Sequence, residues 1–196
     1  RTAAKKFKTD QYEYFIQPED VPEILHDVVS SMDEPFGNSS VIPVYYCAKL
    51  AKKQGVNYLL AGDGGDEIFA GNTRYSKQKI FEHYFKLPRL LRKKIIEPIA
   101  DNSLFNSNFF GKKIKSYITQ ANIPLPARME TYNFLHINSP ESVFTKEFLS
   151  QINQEKPIQL INTSYNRPDN ASSLNRMLYL DWKHTLADND LRKVNT

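Results

Sequence analysis

Residues 59–71 read LLAGDGGDEIFAG, and this stretch limits the fold more than any other in the chain. A strand-like run, Asn57 to Ala61, ends abruptly in a loop that alternates glycines and acids. Gly62, Gly64 and Gly65 let the backbone take positive φ and bring peptide N–H groups up to a ligand with no Cβ in the way. Successive N–H groups in such a turn form an anion-binding concavity, strengthened by the amino end of a helix expected to start near Asp66. Phosphate is the natural guest, yet Asp63 and Asp66 would repel it. A Mg²⁺ ion held by one or two carboxylates and by phosphate oxygens resolves the conflict. The loop then reads as a nucleotide or pyrophosphate site with a metal. Spacing alone leaves a plainer reading open, a tight turn whose acids cap a helix, because Asp is a common N-cap and Glu67 suits a first turn.

The flanking pattern implies a crossover. Tyr12 to Ile16 is short, aromatic and bounded by Pro18, which predicts a strand. In EDVPEILHDVVSSM, Val21, Ile24, Leu25, Val28 and Val29 recur at helical spacing. DEPFGNSS reads as a loop. Ser39 or Ser40 is the expected cap of a second helix, Val41 to about Gln54, with Gly55 at C′. Strand, helix, loop, helix and strand in that order predict an α/β fold with a parallel sheet, ligands binding at the carboxyl ends of its strands. Beyond Tyr75 the strands give way to helices: KLPRLLRKKIIEPIA, RMETYNFLHI, one beginning at Ser139-Pro140-Glu141, one capped by Thr145, and one from about Ala171 to Leu186. The predicted division is a nucleotide-binding α/β core over 1–78 and a largely helical part over 79–196.

Composition narrows the class. No apolar run approaches the roughly 18 to 20 residues of a membrane span and no signal-peptide segment is evident, so a cytoplasmic protein is expected. The one cysteine, Cys47, excludes an intrachain disulfide and is expected to be buried in VIPVYYCAKLAKK. Basic residues number 26 against 22 acidic ones, an excess small enough that solvated helix faces account for it better than a nucleic-acid surface. His26, His83, His136 and His184 show no ligand spacing. The chain opens on Arg1 and closes on Thr196 without a cap, and is read as a piece of something longer.

The segment DEPFGNSSVIPVYYCAKLAKKQGVNYLLAGDGGDEIFAGNTRY, Asp33 to Tyr75, resembles the synthetase domain of the glutamine-dependent asparagine synthetase family. There a DEP-F-x-x-SS-x-IP stretch leads to an S-G-(E/D)-G-(G/S/A)-D-E-x-F-x-G-Y-x-R-Y signature, represented here by Ala61 to Gly71. Similarity also touches Tyr12 to Ile16 and Leu186 to Asn195. The resemblance implies an adenine-nucleotide alpha-hydrolase (ATP-pyrophosphatase) sheet with a helical C-terminal part. It implies ATP and Mg²⁺ as cofactors, adenylation of an aspartate-like side-chain carboxylate, and attack by ammonia from a separate glutaminase domain. By position, Ala61 and Gly62 would touch the nucleotide with Gly64 and Gly65 completing the loop. Asp66 would bind Mg²⁺, and Asp63 would position or deprotonate the incoming amine. A homodimer is an open assembly for such a chain; nucleic acid and membrane are not expected partners.

The departures are specific. The family's S-G-G-x-D-S pyrophosphate loop, the N-terminal cysteine of the glutaminase domain and a downstream lysine-bearing region are absent, so this chain alone is expected to exchange no ATP. Val194-Asn195-Thr196 stands where many relatives read V-D-R, and Asp63 where many carry glutamate. A β-lactam synthetase, another carboxylate-adenylating amidotransferase, or a non-catalytic module keeping the fold therefore stand as alternatives.

Overall fold

The computed structural model describes residues 1–33, 36–102 and 107–195. Glu34 and Pro35 of the DEP stretch, Thr196 and the Asn195 side chain lie outside the described residues. The chain divides into two compact units: Arg1–Gly64 with His184–Thr196, and Gly65–Lys183.

The expected parallel α/β sheet is not there. The structure is 67% helical and contains no strand among the described residues. A strand exists only as one side of a hydrogen-bonded ladder, and no backbone bond joins residues 12–16 to residues 57–61. The apolar character that suggested strands has other uses. Tyr14 stacks on Tyr46 with ring centroids 4.8 Å apart, and its hydroxyl donates to Asp20 Oδ2 at 2.9 Å. Ile16 packs onto the core of the first unit. Tyr58 and Leu60 are instead almost wholly exposed, at 90% and 103%. β-propensity without a partner backbone yields no sheet.

The two helices of this unit follow the sequence closely. Asp20–Ser31 buries Ile24 and Val28, and Val41–Lys53 buries Val41 and Tyr46. These four side chains form one cluster, each contributing about 1.5–3 kcal/mol on full burial. Tyr46 also donates its hydroxyl to the Asp20 carbonyl at 2.9 Å, tying the start of the first helix to the middle of the second. Gly55 takes φ +75° just past the second helix, as a C′ glycine does. The N-cap differs from expectation. Ser40 makes no capping bond; the Asn38 side chain accepts from the Ser40 N–H at 3.0 Å instead. Cys47 is exposed rather than buried, because its neighbour Tyr46 holds the inward position on that turn. A short helix, Thr2–Phe7, adds to this unit without burying any residue.

The second unit is built from helices around two clusters. One joins Tyr75, Met129, Tyr165, Met177 and Leu180, and the other Tyr84, Ala100, Ile118 and Ala121. The helices Thr73–Phe85 and Phe109–Ala121 supply facing members of the second cluster. Thr145 caps Lys146–Gln151 as expected, accepting from Phe148 N–H, whereas Ser139 makes no capping bond. The predicted helix from Ala171 forms as Ser173–Asp181 with Ser172 as cap, then continues as π-helix at Trp182–Asp190, whose residues from His184 on belong to the first unit. Its expected apolar face is buried only in part: Met177 and Leu186 are buried, while Leu174 and Trp182 are exposed. Among the described residues no helix is long and apolar enough to cross a membrane.

Arg128 is only 3% exposed, and its Nε and Nη1 have no hydrogen-bond partner. It lies over Phe81 and Phe85, 5.2 and 5.8 Å from their ring centroids. Burial pulls its pKa down against the opposing field of Glu82. Unmatched buried donors are costly, and an apolar residue of similar volume often does as well or better. Arg128→Met is therefore expected to hold the thermal midpoint or raise it by a few degrees. A drop of more than about 5 °C, roughly 1.5–2 kcal/mol for a chain of this size, would show that the aromatic contacts outweigh the unmatched donors.

Candidate functional site

The first unit contains a cavity of about 530 Å³, within the range that takes a small organic ligand. Met32, just past the helix Asp20–Ser31, and Val44 and Ala48 of Val41–Lys53 line it together with Ala61, Asp63 and Lys193. Two sequence-predicted residues, Ala61 and Asp63, thus line one cavity. The segment that follows Leu186 returns to this cavity and brings a cation with it. Lys193 Nζ sits 2.8 Å from Asp190 Oδ1 and 3.4 Å from Asp63 Oδ1. Its side chain is 11% exposed, and those of both acids are 23% exposed. Burial pulls the ammonium's pKa down, but the two carboxylates more than offset this and leave it above the usual lysine value.

The Lys193 pairing changes the electrostatics read from the loop alone. Asp63 does not face a phosphate unaided, because a lysine of the same unit already offsets its charge. Lys193 and Asp190 are site residues that sequence reasoning missed. Their i,i+3 spacing hints that they pair with each other, but nothing local connects them to Asp63.

Of the three loop glycines, only Gly64 takes positive φ, at +90°. A Cβ there would also crowd Leu186 Cδ2 at 3.2 Å, so glycine is required on two counts. Open space surrounds the position a Cβ would occupy at Gly62 and at Gly65, which leaves the backbone approachable from outside.

Asp66 belongs to the second unit, in the helix Gly65–Phe69. Five residues make a weak dipole, so this helix end adds little to anion binding. Asp66 is exposed and lies in the first turn. A Cβ at Gly71 would overlap Asp66 Oδ1, so the bare glycine leaves that carboxylate its room. The Asp66 side chain forms no ion pair among the described residues. An exposed carboxylate without a cation of its own suits Mg²⁺, which uses one or two such ligands together with waters and phosphate. No group of three or more His, Cys, Asp or Glu side chains is arranged to hold a metal among the described residues. Of the histidines, His26, His83 and His136 are exposed, and His184 lies 3.8 Å from Asp188.

Asp63 and Lys193 on the lining of a ligand-sized cavity, just before a glycine turn, mark a candidate site for a small charged molecule. The comparisons give the class a family. The asparagine synthase model matches residues 1–196, and the chain belongs to that family. It is 26% identical over 166 residues to asparagine synthetase (glutamine-hydrolyzing) 1 of Bacillus subtilis, covering 85% of this chain and 25% of that protein. A Methanocaldococcus jannaschii protein bearing an asparagine synthetase name is 36% identical over 86 residues, 44% of this chain and 16% of that one. A Mycobacterium bovis protein, also named for asparagine synthetase, is 28% identical over 107 residues, or 53% and 15%. The chain thus spans a quarter or less of the length of these relatives. No solved structure matches it.

Proposed function

We propose that the chain forms part of the synthetase portion of an asparagine synthetase that uses ATP and ammonia released from glutamine. The carboxylate oxygen of the substrate side chain attacks the α-phosphorus of ATP and pyrophosphate leaves. Ammonia then attacks the acyl carbon and AMP leaves, with one proton lost from nitrogen. The supporting observation is the Asp63 carboxylate on the wall of a ligand-sized cavity, next to the Ala61-Gly62 backbone, in a chain whose full length matches the family.

In this reading Ala61 and Gly62 present backbone to the nucleotide, and Gly64 and Gly65 let the loop follow its phosphates. Asp63 accepts the proton from the attacking amine. Asp66 would hold Mg²⁺, which when bound offsets charge on the departing pyrophosphate. The Met32, Val44 and Ala48 lining of the cavity excludes water from the acyl adenylate, whose hydrolysis would waste it. A ligase drawing on ATP and glutamine belongs in the cytoplasm.

The test is carboxylate-dependent ATP–pyrophosphate exchange by the complete gene product carrying these residues. L-Aspartate is expected to support exchange, and adding ammonia to convert it to asparagine. Exchange with another amino acid or a β-amino acid, but not with aspartate, would move the assignment to a sister activity, the outcome that Asn195 in place of the usual aspartate keeps in view. No exchange with any carboxylate at saturating Mg²⁺ would leave only a non-catalytic module.

A further inference from the structure

We infer that Lys193 is a positioning residue that holds the Asp63 carboxylate on the cavity wall, with Asp190 as its anchor. The inference rests on the reading above for what Asp63 does, and on geometry alone for how it is held. The ammonium is bonded first to Asp190, at 2.8 Å, and reaches Asp63 second, at 3.4 Å. An i,i+3 pair on an exposed helix contributes little. Here the lysine side chain is 11% exposed and faces a carboxylate from a distant part of the chain, so water screens the contact far less.

Asp63 follows an irregular stretch and precedes Gly64 at φ +90°, so its own backbone restrains its side chain little. Left alone, the carboxylate would swing freely and repel an incoming polyphosphate. Lys193 counters both problems, fixing one oxygen and offsetting the charge while the other oxygen remains available to a ligand. Lys193, Val194 and Asp63 all line the same cavity. The lysine therefore acts where a small molecule would be felt, and not as a remote strut.

The two half-reactions separate this role from simple bracing. In the complete gene product, Lys193→Met is expected to lower kcat for amide formation at least about tenfold, the loss expected of a misplaced general base. Carboxylate-dependent ATP–pyrophosphate exchange, which involves no amine, should fall far less, and the KM for ATP should rise no more than a few-fold, the effect of unmasking the Asp63 charge. Lys193→Arg, which keeps the charge, should recover most of the rate, and Asp190→Asn should reproduce part of the Lys193→Met defect. Equal loss of both half-reactions with a lowered thermal midpoint, or an unchanged amide rate, would overturn the inference. If Lys193→Met does not fold, the Arg and Asp190→Asn variants carry the same comparison. If the wild type shows no exchange with any carboxylate, it is the proposed function that fails. The hold on Asp63 is then judged by unfolding of Lys193→Met, Asp63→Asn and the double variant: non-additive effects support it, and additive effects refute it.

Discussion

Asp181→Ala is expected to destabilise the protein by about 3–5 kcal/mol, the largest single-residue effect on stability outside the apolar clusters. Asp181 is 3% exposed. It accepts the Tyr75 hydroxyl on Oδ2 at 2.6 Å and pairs through Oδ1 with Arg74 Nη2 at 3.2 Å. Removing the carboxylate leaves a buried phenol without an acceptor and a guanidinium, 24% exposed, without its counter-charge. Each loss adds a desolvation cost that nothing repays. Burial, then the bond to Asp181, push the Tyr75 phenol far above its ordinary range, so the hydroxyl stays a donor at any ordinary pH. Tyr75→Phe should cost only about 1–2 kcal/mol, because the carboxylate keeps Arg74. Replacing all three with apolar residues of similar size should be far milder than Asp181→Ala alone. Urea midpoints of the three variants measure this directly, with m-values checked for constancy. Equal losses for Tyr75→Phe and Asp181→Ala would mean that the hydroxyl bond, and not the charge, holds the group together.

This cluster shows where sequence reading stops. Arg74 and Tyr75 close the family signature, and a signature invites a functional reading. Asp181 lies in a helix whose sequence reads as an apolar face, and only the fold shows that the acid meets the signature. The helices Asp20–Ser31 and Val41–Lys53 were legible almost to the residue, because 3.6-residue periodicity is a local property that the chain carries within itself. The sheet was misread for the converse reason. Strand formation depends on a partner backbone, and the apolar pattern at residues 12–16 records only that those side chains seek burial, which Tyr14 and Ile16 find against helices. The site divides in the same way. Ala61, Asp63 and Asp66 stand out because glycine and carboxylate alternate within a few residues. Lys193 does not, since a lysine three residues after an aspartate is commonplace on any helix surface. The need for glycine was read too broadly: positive φ is required at Gly64 but at neither Gly62 nor Gly65.

Asp66→Asn is expected to lower synthesis by about a hundredfold or more while leaving the thermal midpoint nearly unchanged, since a neutral amide is a far weaker Mg²⁺ ligand than a carboxylate. Asp66 is exposed in the first turn of a five-residue helix. In so short a helix the favourable dipole term is at most a few tenths of a kcal/mol, and like-charge repulsion from neighbouring Glu67 is of similar size with opposite sign. The two nearly cancel, so little stability rests on the charge. Raising Mg²⁺ should recover part of the lost rate, a dependence that a misfolded protein would not show. Gly71→Ala provides a second approach that leaves Asp66 in the sequence. The new Cβ would occupy the space of Asp66 Oδ1, and because that oxygen ends a short rotatable side chain, the carboxylate can turn aside while the fold survives. Gly71→Ala should therefore also raise the Mg²⁺ concentration needed for half-maximal rate, by several-fold and less than Asp66→Asn does. Activity and Mg²⁺ dependence of both variants, read against their melting curves, decide the matter. An Asp66→Asn protein that melts several degrees lower yet retains full synthesis at ordinary Mg²⁺ would make Asp66 a helix-stabilising acid and leave the metal to be held elsewhere.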